Sequence, residues 1–564
     1  MNLKAKPFYL NDEDIAWVNE TRESMTLTEK AGQLFCVLFK ESKSEELEFV
    51  TNILKPGGCM YRVIPAERAI DFTIALKKTL NIPPLIAANL EKGGNGIIDE
   101  GTLVGSPMEI AATGEMEMAE KLAEVCAREG AAVGANWSFA PIIDIDTNFR
   151  NPITNTRTFG SDPETVKQMG VAYTSKVQEL GLAASIKHFP GDGQDERDQH
   201  LVTSINDMDC QTWMDTYGAA YKACIDAGAL SCMAGHIMQP AWSKQRNPEL
   251  KDQDIMPASL SPELLNGLLR EKLGFNGLIV TDATTMAGFT IPMSRDKAVP
   301  YSIAAGCDMF LFARNLEEDY GYMLEGINNG IITSDRLDEA VTRILALKAA
   351  LRLHKNTDIP DKKNASAIIG CSQHKEWAKE CADKAITLVK EEPGVLPLTP
   401  ERYKRILFYT IEPPAGGEGP YQVTPACAAL KKQLEKEGFL IDDFVPQPDG
   451  EGFTTTYSEM IKNYDLILYA ANISTKSNQT VVRIEWKQPM GADCGHYLND
   501  IPTIFVSLEN PYHLLDFPRV RTYINCYSNN AYTLTQLVEK LIGRSEFKGK
   551  NPVDPFCGKW DAKL

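Results

Sequence analysis

No window of this 564-residue chain approaches the uncharged apolar run of about 18 residues that a membrane-spanning helix needs. The opening MNLKAKPFYLNDED also lacks an apolar core of signal-peptide length, so the expectation is a cytoplasmic protein. Positive charge is in short supply. With 58 Lys+Arg against 76 Asp+Glu, the net charge of −18 repels phosphate backbones and anionic lipid surfaces, which argues against nucleic-acid and membrane partners. A neutral or cationic small molecule fits that balance better. No CxxC pair occurs among the 13 cysteines, which are scattered singly, several inside apolar runs such as LFCVLF (Cys36) and ALSCMAG (Cys232). There a free thiol acts as a small hydrophobe, so reduced cysteines and no structural zinc are expected. Internal repeats and low-complexity tracts are missing, and 43% hydrophobic with 24% charged residues is the composition of a globular protein.

What is present is a regular alternation. The chain is too long for one ordinary core. From about residue 13 to 355, short apolar runs alternate with helical patterns, the signature of parallel β/α units. A capping box, Thr26 with Glu29, opens the helix before LFCVLF. Seven further runs follow: GGCMYRV, PPLIAA, WSFAPII, LAASIK, ALSCMAG, GLIVTD and DMFLFA. Eight strands, each followed by helix-forming sequence, are the number that closes a (β/α)8 TIM-like barrel; an open doubly wound sheet is the alternative. EKGGNG does not match the spacing of a dinucleotide-binding fingerprint. The polar stretch within 356–370 reads as a linker, and 371–564, with strand-like RILFYT, FLIDDFV, DLILYAA and PTIFVSL, as a smaller α/β sandwich domain.

The polar residues are not scattered at random over the first domain. Asn89, Glu91, Asp144, Lys187, His188, His236 and Asp282 all fall at or just beyond the C-terminal ends of expected strands, the rim where such barrels carry their active sites. Two of the seven histidines sit in Ser185–Leu201, SIKHFPGDGQDERDQHL. Within it, Asp198 and His200 are two apart, a spacing that lets a carboxylate buttress an imidazole and yield a general acid/base. A strand-end Asp282 can attack an electrophilic carbon or merely cap the next helix. A divalent ion held by His188, Asp192, Asp198, His200 and His236 is a competing account of the same residues.

KHFPGDGQDERDQH resembles the signature of glycoside hydrolase family 3, in its β-N-acetylglucosaminidase branch, whose pattern is KH(F/I)PG(H/L)GxxxxD(S/T)H. MTLTEKAGQLF, FAPIIDIDTNFRNPITNTRTFGSDPETV, GLIVTDATTMAGF and ITLVKEEPGVLPL resemble other segments of the family in the same order. The resemblance implies a retaining exo-glycosidase without metal or cofactor that releases terminal β-linked N-acetylglucosamine. Asp282 would be the nucleophile, Asp198 and His200 the acid/base dyad, and Lys187, His188 and Arg157 hydrogen-bonding partners of the sugar. His236 matches the strand-six histidine, either as a substrate contact or as a wall residue. The resemblance leaves other family activities open: a β-glucosidase with a second-domain Glu as acid/base, Glu485 being one candidate, a phosphorolytic enzyme, or a sugar-binding relative without turnover. Homodimerisation through the second domain is a further option.

Three residues depart from the pattern. Asp192 replaces His or Leu, Gln199 replaces Ser or Thr, and Asn89 stands where the family usually has an Asp, so that Glu91 or a different sugar must make up for the lost carboxylate. The loop is expected to divide into a fixed end, Lys187 and His188, and a mobile end carrying Asp198 and His200.

Overall fold

The computed structural model describes residues 1–39, 48–356, 358–413, 425–445 and 456–564. They form two compact units, the first made of Met1–Leu103, Ala119–Asn151 and Pro163–His374, the second of Val104–Met118, Pro152–Asp162 and Lys375–Leu564. The change between them at His374 and Lys375 follows the polar stretch 356–370, part of which is the helix Lys362–Ile368, capped by Asp361. No composition shift marks the two short segments, 104–118 and 152–162, that group with the second unit.

In the first unit eight parallel strands follow one another in space as in sequence: β1 (Phe35–Phe39), β2 (Gly58–Tyr61), β3 (Leu85–Ala88), β4 (Trp137–Ser138), β5 (Ala183–Phe189), β6 (Ser231–Ala234), β7 (Leu278–Thr281) and β8 (Phe310–Leu311). β8 pairs back onto β1, and a bridge from Val280 to Met309 joins β7 to β8, so the sheet closes into a TIM-like barrel and leaves no edge. All eight coincide with the apolar runs of the sequence. Closure explains why those runs are continuous rather than alternating, since each strand faces a packed interior on one side and helices on the other. The capping box forms: Thr26 accepts from the Glu29 N–H, and the Glu29 carboxylate accepts from the Thr26 N–H at 3.0 Å.

The N-terminal floor of this barrel is held by buried charge. Asp308, two residues ahead of β8, is fully buried and accepts from Arg270 and Arg336 at 2.6 Å each, from the Ile279 N–H at 2.9 Å and from Arg343 at 3.5 Å. Burial would raise this carboxyl; the three guanidinium groups outweigh it and hold it below the usual range. Nearby in sequence to β1, Gln33 accepts from the buried Lys348 ammonium group at 2.8 Å and donates to the Lys55 carbonyl at 2.8 Å. Burial pushes Lys348 down to about 7.

The second unit carries a six-stranded sheet of β9 (Thr387–Lys390), β10 (Arg405–Ile411), β11 (Leu440–Asp443), β12 (Leu466–Ala471), β13 (Thr503–Ser507) and β14 (Thr522–Asn525). The order is β9-β14-β13-β12-β10-β11, parallel except for β9. The helices Ala426–Lys436 and Ala531–Leu541 contribute Leu430, Leu434, Leu534 and Leu537 to the core on one face; Tyr409, Tyr469, Phe505 and Phe517 cluster separately. β10 to β13 match the strand-like runs of the sequence. β9 and β14 lie outside those runs. Segments 104–118 and 152–162 are tied in by Ser106 to the Tyr527 carbonyl (2.8 Å), Thr533 to Glu109 (2.8 Å) and Asn155 to Asn510 (3.1 Å). Among the described residues, no helix is long and apolar enough to cross a membrane.

Candidate active site

β5 carries Lys187 and His188 within its own span, and the whole strand is buried. Lys187 pairs with Glu91, beyond β3, at 2.7 Å. Both are largely buried, so the pair sets the position of the ammonium group instead of leaving it solvated. Asn89, at the end of β3, is exposed. Asp144 holds His188 twice: Oδ1 accepts from the His188 backbone N–H at 3.0 Å, and Oδ2 lies 2.6 Å from the ring Nδ1. A carboxylate at Nδ1 makes that nitrogen the donor. The ring then presents Nε2 toward Asp282, 4.0 Å from its Oδ2. Asp144, on the rim at the end of the WSFAPII run, is thus the group that orients His188.

Asp282 follows β7, its backbone N–H donating to the Ala234 carbonyl at 2.7 Å and its Oδ1 accepting from the Ala283 N–H at 2.7 Å. Burial pushes this carboxyl up. The imidazoles of His188, His236 and His200 and the Ala283 N–H outweigh that effect and hold it below the usual carboxylate range. It is therefore ionised at neutral pH, with Oδ2 directed at the space beside His188. Only one of its oxygens is taken up by a backbone N–H within the segment that follows.

His236 lies two residues beyond β6. It is fully buried, with Nδ1 2.8 Å from the Ser259 hydroxyl and Nε2 3.1 Å from the Ala283 carbonyl. Nε2 faces that carbonyl as a donor, and burial pushes the imidazole below its ordinary value. Both ring nitrogens have protein partners.

Asp198 and His200 pair as their spacing implies: Asp198 Oδ1 is 2.6 Å from His200 Nδ1 and accepts from the His200 N–H at 2.9 Å. Asp198 is buried, whereas the His200 side chain is 25% exposed, so its Nε2 edge stays open to a substrate. The loop that carries them is anchored, contrary to the expectation of a mobile end. Asn148 donates from its backbone to the Gly193 carbonyl and from its side chain to the Gln194 carbonyl, each at 2.9 Å. Asn151 donates to Asp192 at 3.0 Å and to the Asp195 carbonyl at 2.9 Å. Asp195 accepts from the Ile205 N–H at 2.9 Å, and the His200 carbonyl from the Ala287 N–H at 3.0 Å. Two glycines permit the close approach. A Cβ on Gly193, whose φ is +104°, would lie 2.0 Å from the Ile145 carbonyl oxygen, and one on Gly288 would lie 2.5 Å from that of Gln199.

Asp192 and Gln199, two of the three departures, lie inside this anchorage and are buried. Burial and the neighbouring Asp144 carboxylate push Asp192 up to about 8. Among the described residues no group of three His, Cys, Asp or Glu could hold a metal ion. Of the five side chains, Asp198 and His200 bind each other, His188 binds Asp144, Asp192 binds Asn151 and His236 faces Ser259. Arg157 closes the turn Asn155–Arg157 in the segment that groups with the second unit, and is half-buried there. Glu485, also in the second unit, is exposed and lines a cleft of about 1000 Å³ with Trp486, Arg483, Tyr409 and Phe444.

The description "Glycosyl hydrolase family 3 N terminal domain" matches residues 26–347, more than half of the chain. The chain belongs to glycoside hydrolase family 3. This glycosidase is 50% identical over 564 residues, all of both chains, to a "Beta-N-acetylglucosaminidase/beta-glucosidase" of Cellulomonas fimi. It is 46% identical to a solved structure named "Beta-glucoside phosphorylase BglX", with a TM-score of 0.93 and 99% of each chain covered. A family 3 β-N-acetylglucosaminidase from Paenibacillus sp. str. FPU-7 shares the two-unit fold, with a TM-score of 0.80 at 24% identity over 95% of this chain and 100% of that one. Membership brings a carbohydrate substrate with it.

Proposed function

We propose that this family 3 enzyme is a retaining exo-glycosidase that hydrolyses terminal β-linked N-acetylglucosamine through a covalent ester on Asp282, with Asp198–His200 as acid/base. The observation that carries the reading is the pairing of an ionised, half-screened Asp282 with a second, partly open imidazole whose Nδ1 is held 2.6 Å from a buried carboxylate. In the first step an Asp282 carboxylate oxygen bonds to the anomeric carbon as the glycosidic bond breaks, and protonated His200 gives its proton to the departing oxygen. In the second, neutral His200 takes a proton from the incoming water as the water oxygen bonds to the anomeric carbon and the ester bond to Asp282 breaks, freeing the carboxylate with net retention. Asp198 holds the imidazole in the tautomer that leaves Nε2 free for both transfers.

Lys187, His188 and Arg157 are the proposed donors to the sugar hydroxyls, and Glu91 and Asn89 the proposed acceptors on the side where the family's usual carboxylate is missing. Glu91 reaches the rim already paired with Lys187, which supports a shared role in holding one sugar edge.

A second reading concerns donor and acceptor. Both full-length relatives at 46–50% identity have glucosides in their names, and one is named a phosphorylase. A neutral imidazole does not repel phosphate as a carboxylate base would, so phosphate in place of water, and β-glucosides beside N-acetylglucosaminides, fit the same dyad. Nitrophenyl sugars assayed with and without inorganic phosphate decide this. Release of a sugar 1-phosphate would assign phosphorolysis; a faster glucoside would move the donor. Failure of a fluoro-sugar to label Asp282 would remove the covalent reading altogether.

A further inference from the structure

Gln199 stands between the two dyad residues, and its side chain is taken up by protein partners. Its Oε1 accepts from the His236 backbone N–H at 2.8 Å, and its Nε2 donates to Asp192 Oδ2 at 3.3 Å. The first bond fixes the orientation of the amide, because a flipped Gln199 would set its NH2 against the His236 N–H. Asp192 is in turn fixed through Oδ1, which accepts from the Gly193 N–H at 2.8 Å and from Asn151 at 3.0 Å.

On the other side, the path leads to the nucleophile. The His236 ring donates to the Ala283 carbonyl at 3.1 Å, and the Ala283 N–H donates to Asp282 Oδ1 at 2.7 Å. A run of backbone and hydrogen bonds therefore joins Asp282 to the residue flanked by Asp198 and His200. All of it is buried or partly buried, where an unpaired donor costs about 1–3 kcal/mol and the geometry is correspondingly stiff.

We propose that Gln199, Asp192 and His236 are positioning residues that set the distance between the acid/base dyad and the nucleophile across strands β5, β6 and β7. This rests on the assignment of Asp282 and Asp198–His200 made above. It gives a role to two residues that depart from the branch pattern, and it assigns His236 to register rather than to sugar contact. None of the three touches the reacting atoms.

The test exploits donor and acceptor parity. Asp192→Asn sets an NH2 against the NH2 of Gln199, and every rotation of either amide leaves two donors facing each other or strands the His236 N–H. Combining it with Gln199→Glu restores complementarity, since a carboxylate accepts from both the new amide and His236. Gln199→Leu removes the bridge altogether. The readout is the ratio of kcat/KM for a methoxyphenyl glycoside to kcat/KM for a dinitrophenyl glycoside, which follows acid assistance to the leaving group. Partial unfolding scales both values and leaves the ratio alone.

The expected result is a ratio lowered about 10- to 100-fold in Asp192→Asn and in Gln199→Leu, the size of effect that misplacement by about 1 Å produces. The double variant should return to within about threefold of the wild type, as a directly coupled pair requires. An unchanged ratio in either single variant, or a double variant no better than Asp192→Asn, overturns the proposal. Fluoro-sugar labelling of wild-type Asp282 and the leaving-group dependence of His200→Ala are run alongside. If those two hold while the ratio does not respond, only the positioning role fails; if they fail, the catalytic assignment falls with it.

Discussion

The two ends of the barrel both bury charge, and they do so in opposite ways. At the floor, Asp308 is surrounded by Arg270, Arg336 and Arg343 and an N–H, so both of its oxygens are committed. At the rim, Asp282 has one oxygen on the Ala283 N–H, the other 4.0 Å from His188, and neighbours that are imidazoles rather than guanidinium groups. A guanidinium group stays charged and locks a carboxylate; an imidazole lowers its pKa while leaving an edge free and able to exchange a proton. The floor commits its buried charge to ion pairs, whereas the rim keeps its carboxylate ionised without a guanidinium lock.

Substitutions at each end test that contrast. The largest effect belongs to Asp282→Ala, for which kcat/KM should fall by about 10³-fold or more with the melting temperature unchanged or raised. His200→Ala comes next: a loss of about 10²- to 10⁴-fold in kcat/KM on poor leaving groups, and much less on dinitrophenyl glycosides, measured as a leaving-group series. At the floor, Asp308→Asn should cost about 3–5 kcal/mol in chemical denaturation, because three buried guanidinium groups lose their counter-charge, while kcat per folded molecule stays as it was.

The pH dependence of stability should divide in the same way. The folded carboxyl of Asp308 lies below its unfolded value, so its stabilisation is complete above the unfolded pKa and is lost as pH falls through the folded one. The acid limb of a stability profile should flatten in Asp308→Asn. Lys348 works in the opposite direction, since folding disfavours its charged form: burial takes it down to about 7 against an ordinary 10.5. Between those values the unfolded chain holds a proton that the folded chain lacks, so stability rises with pH across that window. Lys348→Met should remove that rise, seen as a flatter melting temperature from about pH 7 to pH 10, with activity untouched.

Much of this contrast could be read before any coordinates. The eight apolar runs announce themselves by length and by the helical patterns between them, and a parallel strand buried on both faces leaves no other signature. The rim residues are legible because each follows such a run directly, as Asp282 follows GLIVT. Asp198 and His200 are legible as a pair because they lie two residues apart. By contrast, nothing in WSFAPIID says that Asp144 orients His188, and nothing in GDGQDERDQH says that the loop is pinned by Asn148 and Asn151 rather than mobile.

The residue chemistry was therefore determined by the sequence: a closed parallel barrel, a carboxylate at the end of its seventh strand, and an imidazole beside a carboxylate in the loop after the fifth. Tertiary structure alone decided who holds whom. Lys187 and Glu91 are 96 residues apart, His188 and Asp144 44, and His236 and Gln199 37. Such partners are chosen by the closure of the sheet, which brings consecutive strands side by side whatever the length of chain between them. A hydrogen bond is sensitive to a few tenths of an ångström, and only the packed barrel sets distances that finely.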